Sequence, residues 1–142
     1  MATETEATKA LIRRHVETMN RGDVEEFDKY CSDDYKWLGV EPERMGEATN
    51  LRDFKSAIKD LVETLPDLYV EIIDMVAEGE KVAVHITLAG HHTGRPFMGV
   101  EPSGVYVKWH GYSTYSIKNG IIYSESFFDD TFAIAKSLGS DS

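Results

Sequence analysis

The sequence lacks most of the features that mark secreted, membrane-spanning or disulfide-stabilised proteins. Its 142 residues include a single cysteine, Cys31, which excludes an internal disulfide framework and favours a reducing, cytoplasmic location. No segment approaches the roughly 20 consecutive apolar residues that a membrane-spanning helix needs. Residues 1–10 lack a basic region followed by an apolar one, and we therefore expect no signal peptide.

Positive charge is also scarce. The chain has 15 Lys and Arg residues against 25 Asp and Glu, a formal net charge of −10. Because a surface of this sign repels phosphate groups, we expect neither nucleic acids nor anionic membranes as partners. The acidity favours solubility, and it is also compatible with a salt-adapted source.

The remaining composition is that of a globular protein, with 42% hydrophobic residues. The length predicts one domain over 1–142, with 1–5 and 140–142 as disordered tails. Apolar side chains recur at helical spacing in three segments, which predicts helices over 5–20, 24–31 and 51–64. We expect Cys31 to be a buried structural thiol at the end of the second helix, and Asn50 to cap the third. A short strand over 35–38 and a loop over 39–50 separate these two helices.

The second half of the chain has the alternating pattern of β-strands. We predict strands over 68–77, 81–92, 104–117 and 121–129, the last two joined by a tight turn at Asn119-Gly120. A short helix follows over 131–138. Helices followed by a strand meander predict an α+β fold, a cone-shaped α+β barrel in which N-terminal helices pack on a curved antiparallel sheet. A pocket is then expected between the sheet and the helices.

Three segments, 19–35, 65–99 and 128–139, together with this order of elements, resemble the SnoaL-like family. These are the small polyketide cyclases of the nuclear-transport-factor-2-like superfamily. The resemblance implies an enzyme that needs no cofactor and uses acid/base chemistry, of the cyclase or isomerase type, on a small carbonyl compound that could be polyketide-like. It also implies a homodimer through the sheet. The alternative is a non-catalytic ligand-binding or accessory protein of the same fold, because one fold serves many functions.

The resemblance also implies site residues. The family has a Gly-x-His-x-Gly strand end, which falls on 90–94 and makes His92 the family histidine. Its acid/base aspartate, counted back from the Leu-Gly near the end of the chain, falls on Asp130. The family's Glu and Trp upstream of that aspartate are replaced here by Ser124 and Ser126, and this leaves the substrate and the reaction open.

Strand alternation gives a second view of the same segment. Ser124, Ser126, Phe128 and Asp130 share one face of the last predicted strand, and a carboxylate after two phenylalanines would be partly desolvated. Asp129 would take this place if a bulge shifted the register. Asp130 could instead cap the last helix, and His92 could instead bond to the glycine-rich turn that follows it.

Other candidates for the pocket are polar and aromatic. Either face of the strand over 104–117 could line it, and we favour the face that carries His110 and Tyr112. Tyr35 and Trp37 lie either at its mouth or in the core. His85 is either a pocket residue or a satisfied histidine in mid-strand, whereas His91 should face solvent. The histidines lack helix-spaced pairs and cysteine partners, so we predict no metal site. There is no Gly-x-Ser-x-Gly elbow, which disfavours a serine hydrolase. The candidates for substrate binding are His85, His110, Tyr112, Trp37, Tyr35, Ser124, Ser126 and Phe128.

Overall fold

The computed structural model describes residues 4–39 and 48–139. Within these ranges the helices are α1 (Glu4–Arg21), α2 (Leu51–Thr64) and α3 (Thr131–Ser137), and a short 3₁₀ helix spans Val24–Lys29. The strands are β1 (Cys31–Gly39), β2 (Ala48–Thr49), β3 (Tyr69–Glu78), β4 (Lys81–His91), β5 (Tyr106–Lys118) and β6 (Ile121–Asp129). The α+β class predicted from the sequence is confirmed.

Local sequence explains where the long helix α2 begins and which face it buries. Asn50 lies just before it in extended conformation, and its side-chain oxygen accepts a hydrogen bond from the backbone N–H of Asp53 at 2.9 Å. Leu51, Phe54 and Ile58 are buried at spacings of three and four residues. The predicted cap and helix are therefore confirmed.

The described strands form one six-stranded sheet in the order β2-β1-β6-β5-β4-β3. Neighbouring strands are antiparallel, except that β1 runs parallel to β6. In the part of the chain that the structure describes, the sheet does not close, and β2 and β3 are its edges. The predicted barrel is thus an open sheet whose inner face is covered by helices, with α1 against β3 and α2 against β1.

Side chains in β5 alternate strictly between the two faces of the sheet. Val107, Trp109, Ser113 and Tyr115 are buried and lie on the inner face, towards the helices. The intervening residues, including Tyr112, lie on the outer face. The core of the protein is therefore enclosed between this inner face and the helices.

The segment after α1 differs from the prediction. The expected helix over 24–31 is a 3₁₀ helix that ends at Lys29, and Cys31 is the first residue of β1. Phe27, Tyr30 and Cys31 are all buried, so the apolar spacing was identified correctly. The chain extends at Cys31 because its backbone joins the sheet beside Ile122 of β6.

A β-bulge in β6 decides which side chains face the helices. Ile117 of β5 aligns with Ile122, but Ser116 aligns with Ser124, which leaves Tyr123 as an extra residue in β6. Ile122 is fully buried on the inner side. After the extra residue the inner positions become odd-numbered, and Glu125 is buried instead of Ser124.

Some predictions fall wholly or partly outside the described residues. Of the predicted tails, residues 4 and 5 belong to α1, whereas 1–3 and 140–142 are not described. Most of the predicted loop over 39–50 also lies outside the described ranges. No helix within those ranges is both long and apolar enough to cross a membrane.

Candidate functional site

A cavity of about 210 Å³ lies between the inner face of the sheet and the helices. Aromatic rings form much of its wall. The rings of Trp37 and Phe127 stack with centroids 4.7 Å apart, and those of Phe97 and Trp109 meet edge to face at 6.0 Å. The lining residues are Met19, Trp37, Phe54, Ala57, Ile58, Leu61, Ile86, Leu88, Phe97, Trp109, Gly111, Ser113, Tyr115, Glu125, Phe127, Asp129 and Ile134.

Glu125 lines this cavity as a buried carboxylate with three hydroxyl donors. Tyr35 Oη donates to Oε1 at 2.9 Å, while Ser113 Oγ and Tyr115 Oη donate to Oε2 at 2.8 and 3.0 Å. Only 6% of the residue is exposed. Burial raises the pKa of Glu125 above its usual range, although the three hydrogen bonds oppose that rise.

The two tyrosines of this cluster remain donors over the ordinary pH range. Burial, reinforced by the adjacent Glu125 carboxylate, raises the pKa of Tyr35 and of Tyr115 well above the usual value. Together with Ser113, these residues form a polar cluster within an otherwise apolar interior. We refer to Glu125, Tyr35, Ser113 and Tyr115 as the Glu125 cluster.

Asp129 is the second carboxylate in the cavity wall. It follows Glu125 and Phe127 on the inner side of β6. The indole Nε1–H of Trp109 donates to Asp129 Oδ1 at 3.2 Å. The neighbouring strand places Gly111 directly opposite, and a Cβ at that position would lie 2.9 Å from the same oxygen. The glycine therefore provides the space in which this carboxylate sits.

Asp130, the aspartate to which the resemblance assigned acid/base chemistry, is not among the cavity-lining residues. It is the N-cap of α3, and its Oδ1 accepts a hydrogen bond from the backbone N–H of Ala133 at 3.0 Å. The bulge at Tyr123 explains the difference, because it turns Asp129 inward and leaves its neighbour to cap the helix. The structure thus has the geometry of the two alternatives raised from the sequence, in which Asp129 faces inward and Asp130 caps the helix.

His92 is fully buried, but it holds a loop and is not a lining residue of the cavity. Its ring Nε2 donates to the backbone carbonyl of Arg95 at 2.8 Å, since a carbonyl oxygen only accepts. Its backbone bonds to Val105 and Gly104 on the far side of the same loop. Nδ1 is buried without a hydrogen-bond partner in the described residues. The ring packs near Phe97, so His92 supports one wall of the cavity.

Several predicted pocket residues lie on the outer face of the sheet, which corrects the expected orientation of β5. His85, Tyr112 and Phe128 are neighbours across β4, β5 and β6, and the rings of His85 and Tyr112 stack at 4.4 Å. His85 Nε2 and His110 Nδ1 share a hydrogen bond of 2.7 Å. Ser124 and Ser126 lie on the same outer side as Phe128 because of the bulge in β6.

An open groove of about 420 Å³ crosses this outer face. Its lining includes Val76, His85, Tyr112, Ser126 and Phe128. The remaining two candidates lie on the inner side. Trp37 lines the cavity, and Tyr35 lies behind the lining in the Glu125 cluster. His91 is exposed, as expected, and its ring Nδ1 lies 2.7 Å from Asp67 Oδ2.

A buried histidine that the sequence analysis did not select lies behind the cavity. His15 packs between the rings of Phe27, Phe54 and Tyr115, and burial lowers its pKa to about 3. Tyr30 uses its hydroxyl proton on Thr18, so its oxygen accepts from Nδ1 of His15 at 3.1 Å. The imidazole is therefore neutral and part of the core.

Sequence reasoning also missed Glu125 as a site residue. One signal was available: Glu125 is a single carboxylate between Ser124 and Ser126 in a strand that is otherwise mainly apolar and aromatic. Such a residue is buried only when donors satisfy it, and the donors come from β1 and β5, which lie far away in sequence. In the described part of the chain, no group of three His, Cys, Asp or Glu side chains could hold a metal ion.

Comparisons with known proteins agree with this architecture. AclR, a candidate hydroxylase from Streptomyces galilaeus, is 26% identical, with a TM-score of 0.83 over 94% of this chain and 85% of its own. A SnoaL-like candidate polyketide cyclase from Jannaschia sp. CCS1 is 18% identical, with a TM-score of 0.84 over 100% and 98% of the two chains. IdmH, a candidate polyketide cyclase from Streptomyces antibioticus, is 21% identical, with a TM-score of 0.81 over 92% and 97%.

A comparison with curated proteins gave no match. The model of the SnoaL-like polyketide cyclases, by contrast, matches residues 9–138, which span both carboxylates of the cavity and nearly all of the sheet. The resemblance inferred from the sequence is thereby confirmed, and the chain belongs to the SnoaL-like polyketide cyclase family.

Proposed function

We propose that the inner cavity binds a small carbonyl compound and that Asp129 removes or returns a proton next to its carbonyl group. The observation that carries the proposal is the position of Asp129, a carboxylate in the wall of a largely apolar cavity. A positioned base in an apolar site is the main requirement for abstracting a proton α to a carbonyl. This chemistry underlies both isomerisation and aldol cyclisation.

Trp109 supplies a donor beside the base. Its indole N–H already lies 3.2 Å from Asp129 Oδ1. When Asp129 takes the α-proton, negative charge moves from the carboxylate to the enolate oxygen of the substrate. The indole N–H then hydrogen-bonds that oxygen, because a donor is most stabilising where charge develops. Return of the proton from Asp129 to another carbon completes an isomerisation. In a cyclisation, the enolate carbon forms a C–C bond with a second carbonyl carbon of the same substrate, and the resulting alkoxide takes the proton from Asp129 to give the cyclic aldol.

The size of the cavity limits the substrate. A volume of about 210 Å³ is below the roughly 300–1,000 Å³ of pockets that take drug-sized ligands. We therefore propose a substrate with one ring or a short chain rather than a fused polycyclic one. The mainly apolar side chains of the wall lower the polarity around the site, which strengthens electrostatic interactions inside it.

Exchange of α-protons tests the proposal without knowledge of the natural substrate. Acetophenone in D₂O is followed by ¹H NMR with the wild type, Asp129→Asn and Asp130→Asn. We expect faster exchange with the wild type and a loss of about 100-fold or more in Asp129→Asn. The matched control, Asp130→Asn, keeps a capping side chain and should retain the wild-type rate.

Two outcomes would contradict the proposal. If Asp130→Asn loses exchange and Asp129→Asn keeps it, the base is the aspartate indicated by the family pattern. If acetophenone shifts the indole signals of the cavity tryptophans but its α-protons exchange no faster than in buffer, the cavity binds without catalysing. The second outcome would favour the alternative, a non-catalytic ligand-binding or accessory protein.

We propose further that two copies of the chain associate through the outer face of the sheet. Val76, Tyr112 and Phe128 border the outer groove, and between 48% and 63% of each residue is exposed. Among the described residues that line the groove, only Asp74 carries a formal charge. In a chain of net charge −10, such a weakly charged apolar area is where two copies can approach with little repulsion.

Light scattering during size-exclusion chromatography tests this assembly. The wild type at about 100 µM should have the mass of a dimer, since dimers are the commonest closed assemblies. Val76→Lys together with Phe128→Lys should give a monomer. Phe132→Lys is the matched control, because Phe132 is 72% exposed but lies outside the groove. A monomeric wild type would contradict the proposal.

A further inference from the structure

The hydrogen-bond donors of the Glu125 cluster can be counted. Tyr35, Ser113 and Tyr115 each have one hydroxyl proton, and each donates it to the Glu125 carboxylate. A hydroxyl group has one donor and two acceptor lone pairs. With Glu125 ionised, every proton of the cluster is therefore committed inside the cluster.

On the side of the cavity, the groups of the Glu125 cluster can therefore only accept hydrogen bonds. A carboxylate offers about four lone-pair positions, and the three hydroxyls occupy three of them. Ser113 and Tyr115, which also line the cavity, retain lone pairs on their oxygens. A polar ligand group at this end of the cavity must donate a hydrogen bond, because an acceptor would meet only other acceptors.

The charge of the cavity restricts the ligand further. Among the residues that the structure describes, the cavity lining includes two carboxylates, Glu125 and Asp129, and no Lys, Arg or His. Ligand carboxylates and phosphates would thus lie in a site of low polarity with like charges and without a counter-ion. Burial of such a charge is strongly unfavourable. The cavity is accordingly suited to an uncharged ligand.

The two carboxylates are far enough apart for one ligand to contact them with two different groups. Glu125 and Asp129 are four residues apart on one extended strand, so their Cα atoms are separated by about 13 Å. Both residues line the cavity, as does Phe127 between them. Stacked Trp37 and Phe127 and the ring of Phe54 border the cavity, and such surfaces favour a flat ring.

We infer that the ligand is a small, uncharged aromatic compound with a hydroxyl or N–H donor at the end opposite its carbonyl group. The donor binds the Glu125 cluster, and the ring lies among the aromatic side chains. The placement of the carbonyl group near Asp129 rests on the proposed function, whereas the donor requirement and the exclusion of anions rest on the Glu125 cluster and the cavity lining alone.

Four para-substituted acetophenones test the inference by calorimetric titration of the wild type at pH 7, where the phenol of 4-hydroxyacetophenone is mostly uncharged. 4-Hydroxyacetophenone and 4-methylacetophenone have similar size, but only the first has a donor. 4-Acetylbenzamide and 4-acetylbenzoate also have similar size, but the second is an anion. We expect the hydroxyl compound to bind at least tenfold more tightly than the methyl compound, and the amide to bind where the benzoate does not.

Equal affinities for the hydroxyl and methyl compounds would overturn the donor requirement. Binding of 4-acetylbenzoate as tight as that of the amide would overturn the exclusion of anions. Failure of all four compounds to bind would overturn the ligand class as a whole. Each of these results is read from the wild type and does not depend on whether a variant folds.

Two variants then locate the interaction. Glu125→Gln replaces one acceptor oxygen by an NH₂ group, and it should reduce the preference for hydroxyl over methyl to less than threefold while circular dichroism shows the native fold. Asp129→Asn should keep the preference, because the donor binds at the other end. If exchange chemistry fails but the preference survives in Asp129→Asn, the proposed function is lost and the ligand class stands. A preference that survives in folded Glu125→Gln would overturn the assignment to this cluster.

Discussion

Asp129 and Asp130 are adjacent in the chain, yet their carboxylates serve different parts of the protein. The side chain of Asp129 lies in the cavity wall, where Trp109 donates to it. The side chain of Asp130 accepts from the backbone of Ala133 at the start of α3. Because the two side chains are identical but lie in different surroundings, a substitution of one residue is the control for the same substitution of the other.

Removal of the cap should affect stability and leave the cavity intact. Asp130→Ala deletes the oxygen that accepts from the backbone N–H of Ala133, and an N-cap lost in this way typically costs about 0.5–2 kcal/mol. Urea unfolding should show this loss, and Asp130→Asn should recover most of it. A loss of α-proton exchange in Asp130→Ala at unchanged stability would instead assign Asp130 a direct chemical role.

Substitution of Gly111 should disturb Asp129 more than the fold. A Cβ at this position would lie 2.9 Å from Asp129 Oδ1 and 3.3 Å from Leu88 Cδ1. In Gly111→Ala we expect exchange of acetophenone to fall at least tenfold and stability to fall by about 1–3 kcal/mol, the usual cost of overpacking. Thr114→Ala, on the outer face of the same strand, is the control. Wild-type exchange in a folded Gly111→Ala would show that the chemistry does not depend on the position of Asp129.

His15 should make the protein less stable as the pH falls. Its pKa is about 3 in the folded state and about 6.5 when the chain unfolds, so the unfolded state binds more protons between these values. The contribution of His15 to the free energy of unfolding is fully present above pH 6.5. Below that pH it declines by up to about 1.4 kcal/mol per pH unit. The rings around it, from Phe27, Tyr30, Phe54 and Tyr115, carry no charge over this range.

Urea unfolding between pH 7.5 and 4.5 measures this dependence, with His15→Phe as the comparison. The difference in stability between wild type and variant should shrink steadily below pH 6.5. Glu125 contributes with the opposite sign, because its pKa is raised on folding, but it is present in both proteins. A difference that stays constant over this range would show that folding does not lower the pKa of His15.

Ligand preference should depend on pH through Glu125. Protonation adds a fourth proton to a cluster with three internal hydrogen bonds, and this leaves one donor for the ligand. Because burial raises the pKa of Glu125, the change should occur above the ordinary range of a glutamate. The groups around it are Tyr35, Tyr115, Cys31 and Asp129.

The measurement is the ratio of affinities for 4-hydroxyacetophenone and 4-methylacetophenone between pH 5 and 7, where the phenol stays mostly uncharged. The ratio should fall as the pH falls and the carboxylate takes up its proton. The same ratio in Glu125→Gln should be flat over this range. If the affinity ratio of the wild type rises towards low pH, the count of hydrogen-bond donors in the cluster is wrong.

The thiol of Cys31 should not react with added reagents until the protein unfolds. The thiol is buried, and burial raises its pKa to about 12, so almost none of it is thiolate near neutral pH. We expect 5,5′-dithiobis(2-nitrobenzoate) to react with it at the rate of unfolding in buffer and within seconds in concentrated urea. Rapid labelling of the native protein would show that the start of β1 opens easily.

The element order was predictable from sequence because the periodicities are strong. The alternation along β5 and the apolar spacing of α2 appear directly in the letters. The face of β5 was not predictable, because both faces carry aromatic residues: Tyr106 and Tyr112 on one, Trp109 and Tyr115 on the other. Only the helices covering one face decide between them, and that is a tertiary effect.

The site was less predictable for a different reason. Nothing in the residues around Tyr123 marks it as an extra residue in β6, since the bulge is defined by the partner strand. The alternation that was assumed from Ile122 onwards therefore selected the even-numbered residues. The resemblance pointed to the same strand end and to Asp130, the neighbour of the aspartate that lines the cavity.

The bulge at Tyr123 also bears on how this fold can change its chemistry. The second half of β6 carries two complete sets of side chains, one with carboxylates and one with serines and phenylalanine. Pairing of Tyr123 with Ser116 would remove the bulge without removing a residue, and it would exchange the two sets between the cavity and the outer face. Deletion of Tyr123 would instead leave Ser124 opposite Ser116 and keep Glu125 and Asp129 inside. A related protein that lacks this one residue can therefore keep the same cavity-lining side chains on β6, whereas a change of register alone would replace all of them.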